Sequence, residues 1–124
     1  MVILGIHTSG PACELALIRD KNILSESREE MQRGQDARLP LLAQDILASQ
    51  TLQLSDLDRL AVITGPGSFT GVRVGVAFAR GLALALNIPC IGITTLEAAL
   101  PEGQQGSALV ALPAQRRMPD ITYW

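Results

Sequence analysis

Gly65-Pro66-Gly67-Ser68-Phe69-Thr70-Gly71-Val72-Arg73 is the stretch that decides how this chain folds. It stands between an apolar run at 60–64 and a long apolar helical pattern at 72–86. A strand, a tight glycine turn and a helix start are thus compressed into nine residues. That geometry aims backbone N–H groups at one point, where they can hold an anion. Gly65, Gly67, Ser68, Thr70 and Gly71 are the candidate anion- or nucleotide-contact residues. The competing reading is a corner: Ser68 or Thr70 caps the helix, and the glycines let strand and helix approach closely. The lysine of a phosphate-binding P-loop is missing, so ordinary ATP binding is not supported.

The helix that follows is expected over about 70–86, with Asn87 and Pro89 stopping it. Gly71, Gly75, Ala79 and Ala83 recur every four residues and form a flat stripe. Arg73 and Arg80, seven apart, share another face. The stripe can pack against a helix of the same lobe, or it can meet a second subunit. Upstream, 2–6 reads as a buried strand ended by His7-Thr8-Ser9-Gly10-Pro11. A second strand at 12–18 puts Leu15 and Leu17 on one face. Asp20-Lys21-Asn22 is a hairpin connection with Asn able to take positive φ, and 23–28 is a third, edge strand. Residues 29–37 read as a loop, with Asp36 as helix cap and Pro40 in the first turn. Leu39, Leu42 and Ile46 then fall at helical spacing. Ser55 with Asp58 suggests a short capped turn. The run at 60–64 is a strand covered on both faces. Further buried strands are expected at 90–94 and 108–112, separated by a short helix capped by Thr95. A polar turn at 115–120 leads to a strand beginning at 121. The order is β-β-β-α-β-α-β-α-β, an α/β fold with a mixed sheet and helices on its faces.

Composition narrows the function classes. The chain has 124 residues, 48% hydrophobic but only 3% aromatic, so its core is built from Leu, Ile, Val and Ala. A net charge of −2 argues against gripping a nucleic-acid backbone unaided. Cys13 and Cys90 are far apart and read as free thiols in a reducing cytoplasm. No secretory leader pattern opens the sequence, and the apolar stretch at 74–86, interrupted by Arg80, reads as too short for a bilayer.

With this order in place, several motifs resemble the TsaB (YeaZ) family, a group also described as M22 glycoprotease-like. The glycine stretch at 65–73 matches the family's most distinctive motif nearly letter for letter. Ile3-Leu4-Gly5-Ile6-His7-Thr8-Ser9 is similar to its opening strand and turn. Arg80-Gly81-Leu82-Ala83-Leu84, Ile91-Gly92-Ile93-Thr94-Thr95-Leu96 and Ala111-Leu112-Pro113-Ala114-Gln115-Arg116-Arg117 follow at matching spacing, ending in Tyr123-Trp124. The resemblance implies an actin/sugar-kinase/Hsp70-like (ribonuclease H-like) lobe, with 1–124 as the first lobe and the second absent or truncated. It also implies a part in the threonylcarbamoylation of tRNA adenosine 37. The partners would be a TsaD-like catalytic subunit and a TsaE-like ATPase, with self-association, and with tRNA met only through the complex. ATP or ADP with Mg²⁺ would belong to the complex rather than to this chain.

Three positions depart from the family pattern. His7, the sole histidine, stands where relatives usually have Asp. Gln35 stands where many have a metal-associated histidine, and Pro113 where many have Asp. An imidazole does not replace a carboxylate on Mg²⁺, and one histidine cannot make a His-based metal site. No catalytic or metal residue is therefore assigned. A Ser-His-Asp hydrolase would have to use His7 with Ser9, Ser68 or another serine, and spacing favours none. The first expectation is a non-catalytic scaffold with Leu39, Leu42, Ile46, Gly71, Arg73, Gly75, Ala79, Arg80 and Ala83 at its interface. The alternative is a small nucleotide-binding phosphotransferase or hydrolase using the glycine turn.

Overall fold

In a computed structural model, which describes residues 1–31, 33–113 and 121–123, the chain opens with three strands. These are β1 (Val2–His7), β2 (Ala12–Arg19) and β3 (Asn22–Glu30). They pair antiparallel in sequence order. The first two strands alternate: Val2, Leu4 and Ile6 of β1, and Cys13, Leu15 and Leu17 of β2, are buried, while the residues between them are only half covered. Period-two alternation of this kind gives a sheet one wet face and one dry face.

Helix α1 (Gln35–Ala48) carries the chain across the dry face, and β4 (Arg59–Ile63) returns parallel to β1. Helix α2 (Phe69–Leu86) crosses back to β5 (Cys90–Ile93), parallel to β4. The five-stranded sheet has the order β3-β2-β1-β4-β5. Short α3 (Thr95–Ala98) follows. Strands β6 (Ala111–Pro113) and β7 (Ile121–Tyr123) form a separate antiparallel pair. The expected turn at 115–120 lies outside the described residues.

Both long helices pack on the same face and on each other. Leu39, Leu42, Ala43, Ile46 and Leu47 of α1 meet Ala79 and Ala83 of α2 over Leu4, Leu17 and Leu60. The expectation of a sheet covered on both faces is therefore corrected. The second face holds Gly5, His7, Glu14, Ala16, Ala61, Ile63 and Ile93, which border an open cleft of about 580 Å³. Likewise β5 is an edge strand among those described, with Ile91 47% exposed, rather than a buried one.

Several local expectations shift by a residue or two, for reasons of backbone angle or hydrogen bonding. The hairpin between β2 and β3 turns on Asp20 (φ 49°) and Lys21 (φ 72°), not on Asn22. Two residues at positive φ match the twist of a tight two-residue hairpin. β3 extends to Glu30 because it keeps pairing with Ala12. It also carries one extra residue, Leu24, between Ile23, which faces Ile18, and Ser25, which faces Leu17. Gly34, at φ 86°, rather than Asp36, occupies the cap position of α1. The short turn at Leu54–Asp56 is capped by Gln53 with Asp56. Asp58, expected there, instead accepts a hydrogen bond from the Val2 N–H at 2.7 Å. Thr94, not Thr95, caps α3, accepting from the Glu97 N–H at 3.0 Å.

The chain begins α2 at Phe69, making it 18 residues long, and by length and composition it could cross a bilayer. Here it instead lays its small-residue stripe on the sheet. Asn87 ends it in the left-handed conformation (φ 56°), as its sequence position suggested.

Candidate functional site

The glycine turn and the end of β1 are locked together at one edge of the open cleft. Ser68 caps α2, its Oγ accepting from the Gly71 N–H at 3.2 Å. Its own N–H donates to the Ser9 carbonyl at 2.7 Å. Thr8 is buried and its Oγ1 donates to the Gly71 carbonyl at 2.5 Å. The Gly65–Pro66 peptide is cis, and the Pro66 carbonyl accepts from Thr95 Oγ1 at 2.6 Å. Thr95 N–H donates to the Gly65 carbonyl at 2.9 Å. Thus β1, the turn and α3 form one hydrogen-bonded knot.

Glycine is required at 71 and 75 by close approach rather than by backbone angle. A Cβ on Gly71 would overlap the Thr8 carbonyl oxygen, and one on Gly75 would overlap Thr8 Oγ1. Of the residues expected to hold an anion, Ser68 and Gly71 bond each other, Gly65 is buried and Thr70 is exposed. Gly67 lies against Ser9, where a Cβ would again collide. The described hydrogen bonds serve the corner reading of this motif.

The small-residue stripe is used inside the lobe. Gly71, Gly75, Ala79 and Ala83 are buried, as are Leu39, Leu42 and Ile46 on α1. These residues, expected at an interface, are closed off by the lobe's own packing. The reason is the same close approach: glycine and alanine let α2 settle onto β1 and α1. Arg73 and Arg80 alone of that set face outward. They share the outer face of α2 with Phe69 (74% exposed) and Leu84 (84% exposed). The Arg73 guanidinium lies 5.0 Å from the centroid of the Phe69 ring, a cation–π distance.

Beside the turn lies a polar row that spacing did not suggest. The strand register places His7 opposite Glu14 and Glu14 opposite Arg28. Glu14 Oε1 accepts from Arg28 at 2.7 Å, and Glu14 Oε2 lies 3.1 Å from His7 Nδ1. Hydrogen bonding to Glu14 raises the Arg28 pKa further above its ordinary value. His7 Nε2 in turn lies 2.7 Å from Ser9 Oγ. Ser9 Oγ is 3.4 Å from Thr95 Oγ1. Glu14 and Arg28 were missed because neither is near His7 in sequence. Only the pairing of β1 with β2, and of β2 with β3, brings them into line. The alternation of Val2, Leu4 and Ile6 was the available signal, since continuing it places His7 inside β1 and on the open face.

Among the described residues no group of three or more His, Cys, Asp or Glu side chains could hold a metal ion. Gln35 is buried in α1. Burial holds the Cys13 thiol above its ordinary pKa, with the nearby Glu29 carboxylate adding to the shift.

An α/β lobe in which three antiparallel strands lead into parallel βα units, with a Gly-Pro-Gly corner at the start of the longest helix, defines a recognisable class. A chain of Thermus thermophilus RuvC shares the fold alone, at a TM-score of 0.54 and 12% identity over 77% of this chain. The family model described as TsaD, tRNA N6-adenosine threonylcarbamoyltransferase, matches residues 22–116. The TsaB protein of Escherichia coli is 38% identical over 127 residues, covering 100% of this chain and 54% of that protein. The Bacillus subtilis TsaB is 32% identical, covering 90% of this chain and 48% of its own length. A Pseudomonas aeruginosa protein described as similar to peptidase YeaZ superposes at a TM-score of 0.81. That match is 32% identical and covers 98% of this chain and 57% of that one. The chain belongs to the TsaB/YeaZ family. It spans about half the length of the curated relatives it matches.

Proposed function

We propose that this lobe is a partner subunit in the N6-threonylcarbamoylation of tRNA, non-catalytic in that transfer. Its TsaB relatives are named for this modification. The observation that carries the reading is the outer stripe of α2, where Phe69, Arg73, Arg80 and Leu84 stand exposed. An exposed apolar stripe with arginines on it suits a partner surface that is apolar at its centre and acidic at its rim. A TsaD-like catalytic subunit binds there, and the pair recruits a TsaE-like ATPase. Self-association uses the same stripe in the partner's absence. With a net charge of −2, the lobe meets tRNA through the complex rather than by itself. ATP or ADP with Mg²⁺ enters at the level of the complex, in the cytoplasm.

Co-expression with a tagged cognate TsaD-like subunit tests this. The wild-type chain is expected to co-purify, and Arg80→Glu with Leu84→Asp is expected to lose capture while its melting temperature holds. Capture of that double variant at the wild-type level would refute the stripe as the docking face. Calorimetry of the chain alone with ATP and Mg²⁺ is expected to give no binding heat. Tight Mg²⁺-dependent binding would favour the nucleotide-binding alternative instead.

A further inference from the structure

His7, Ser9 and Glu14 are joined by two hydrogen-bond contacts in series, Ser9 Oγ to His7 Nε2 at 2.7 Å and His7 Nδ1 to Glu14 Oε2 at 3.1 Å. We infer that Ser9 is a nucleophile, with His7 its general base and Glu14 the positioning carboxylate, poised for attack on small carboxylic esters. The inference is independent of the partner-subunit reading.

The proton arrangement follows from what each atom can do. A carboxylate only accepts, so in the neutral ring the hydrogen sits on Nδ1 and points to Glu14. Nε2 then presents its lone pair to Ser9 Oγ, the tautomer that a base needs. Arg28 holds the other carboxylate oxygen at 2.7 Å, which fixes Glu14 in place. Thr95 has one hydroxyl hydrogen, and it goes to the Pro66 carbonyl at 2.6 Å. Its 3.4 Å contact with Ser9 is therefore not a donation from Thr95. The Ser9 hydrogen is left to point along the shorter path, to His7.

The surroundings fit an acyl substrate. The Ser9 carbonyl bonds the Ser68 N–H, so Ser9 sits beside the N-terminal end of an 18-residue helix. The positive end of that dipole favours negative charge developing on a tetrahedral oxygen. His7 and Glu14 also border the open cleft, whose floor includes Ala16, Ala61, Ile63 and Ile93. Ser9 is only 4% exposed while the His7 side chain is 36% exposed. In this proposal the acyl group enters from the cleft, on the His7 side.

In the step itself, Ser9 Oγ bonds to the ester carbonyl carbon as its proton passes to His7 Nε2. The bond from that carbon to the leaving oxygen breaks, and the His7 proton goes to the departing alcohol. Water, deprotonated by His7, then attacks the acyl-Ser9 ester. The bond from the acyl carbon to Ser9 Oγ breaks, Oγ takes the proton back from His7, and the carboxylic acid leaves.

The test is labelling of the full wild-type chain with a fluorophosphonate probe, read by peptide mass spectrometry, beside turnover of p-nitrophenyl butyrate. The expected result is modification at Ser9 in preference to Ser68. His7→Gln, which keeps a hydrogen-bonding side chain but no base, should slow labelling by about 100-fold. Glu14→Gln should lower kcat with KM unchanged. A folded wild-type chain with no label on Ser9 overturns the proposal without recourse to any variant. Labelling of His7→Gln at the wild-type rate overturns it as well, because the hydrogen bonds would then serve only to tie β1 to the turn.

Discussion

Helix α2 has two faces that do opposite work. The inner face, Gly71, Gly75, Ala79 and Ala83, has almost no side chain and is buried. The outer face, with Phe69, Arg73, Arg80 and Leu84, has large side chains and is exposed. Small residues therefore mark intimacy within the lobe, and large ones mark what is left for others. A stripe of glycine and alanine read from sequence alone says only that something comes close. Here the close neighbour is Thr8 of the same chain.

The contrast is broken most severely at Gly71. In Gly71→Val the new side chain meets the Thr8 backbone carbonyl, which cannot rotate away. A loss of about 3 kcal/mol or more is expected in urea unfolding. Gly75→Leu should also destabilise the lobe, since Thr8 Oγ1 would have to give up its bond to Gly71. It is therefore no clean probe of an interface. Leu39→Ala, beneath the inner face in a fully buried position, is expected to cost about 2–5 kcal/mol by the same measurement. Ser68→Ala removes the cap but leaves the turn, and should cost about 1 kcal/mol in thermal unfolding. At the small end, Arg80→Ser on the outer face should change stability by less than about 0.5 kcal/mol. A large loss at Arg80, or none at Gly71, would undo the distinction between the faces.

Much of the fold was legible because strand alternation and helix punctuation are local signals. Val2, Leu4 and Ile6 alternate, Asn87 stops α2, and residues 65–73 bend where a strand must turn into a helix. The errors came where two residues compete for one hydrogen bond. Thr94 and Thr95 are both good caps, and only the position of the Pro66 carbonyl decides that Thr95 bonds elsewhere. At α1 the backbone decides instead: position 34 is left-handed, which selects glycine over Asp36 as the cap, and no side chain caps the helix. The coverage of the sheet was misread because a continuous apolar run such as 60–64 does not say how many of its faces are packed. The candidate site was the least legible part. Ser9 and His7 are visible as neighbours, but Glu14 and Arg28 join them only through strand register, which no local pattern records.

That register has a single point of control in β3. Ile18 faces Ile23, whereas Leu17 faces Ser25, so Leu24 is skipped in the pairing. Counting on from that skip brings Arg28 opposite Glu14; without it Ser27 would stand there, and the remainder of β3 would turn its side chains to the opposite face. Leu24 thus works as a frame-setting insertion. Cutting Leu24 out would close the bulge and keep Arg28 opposite Glu14, whereas pairing Leu24 regularly with Leu17 would exchange the cation that fixes Glu14 for a neutral hydroxyl.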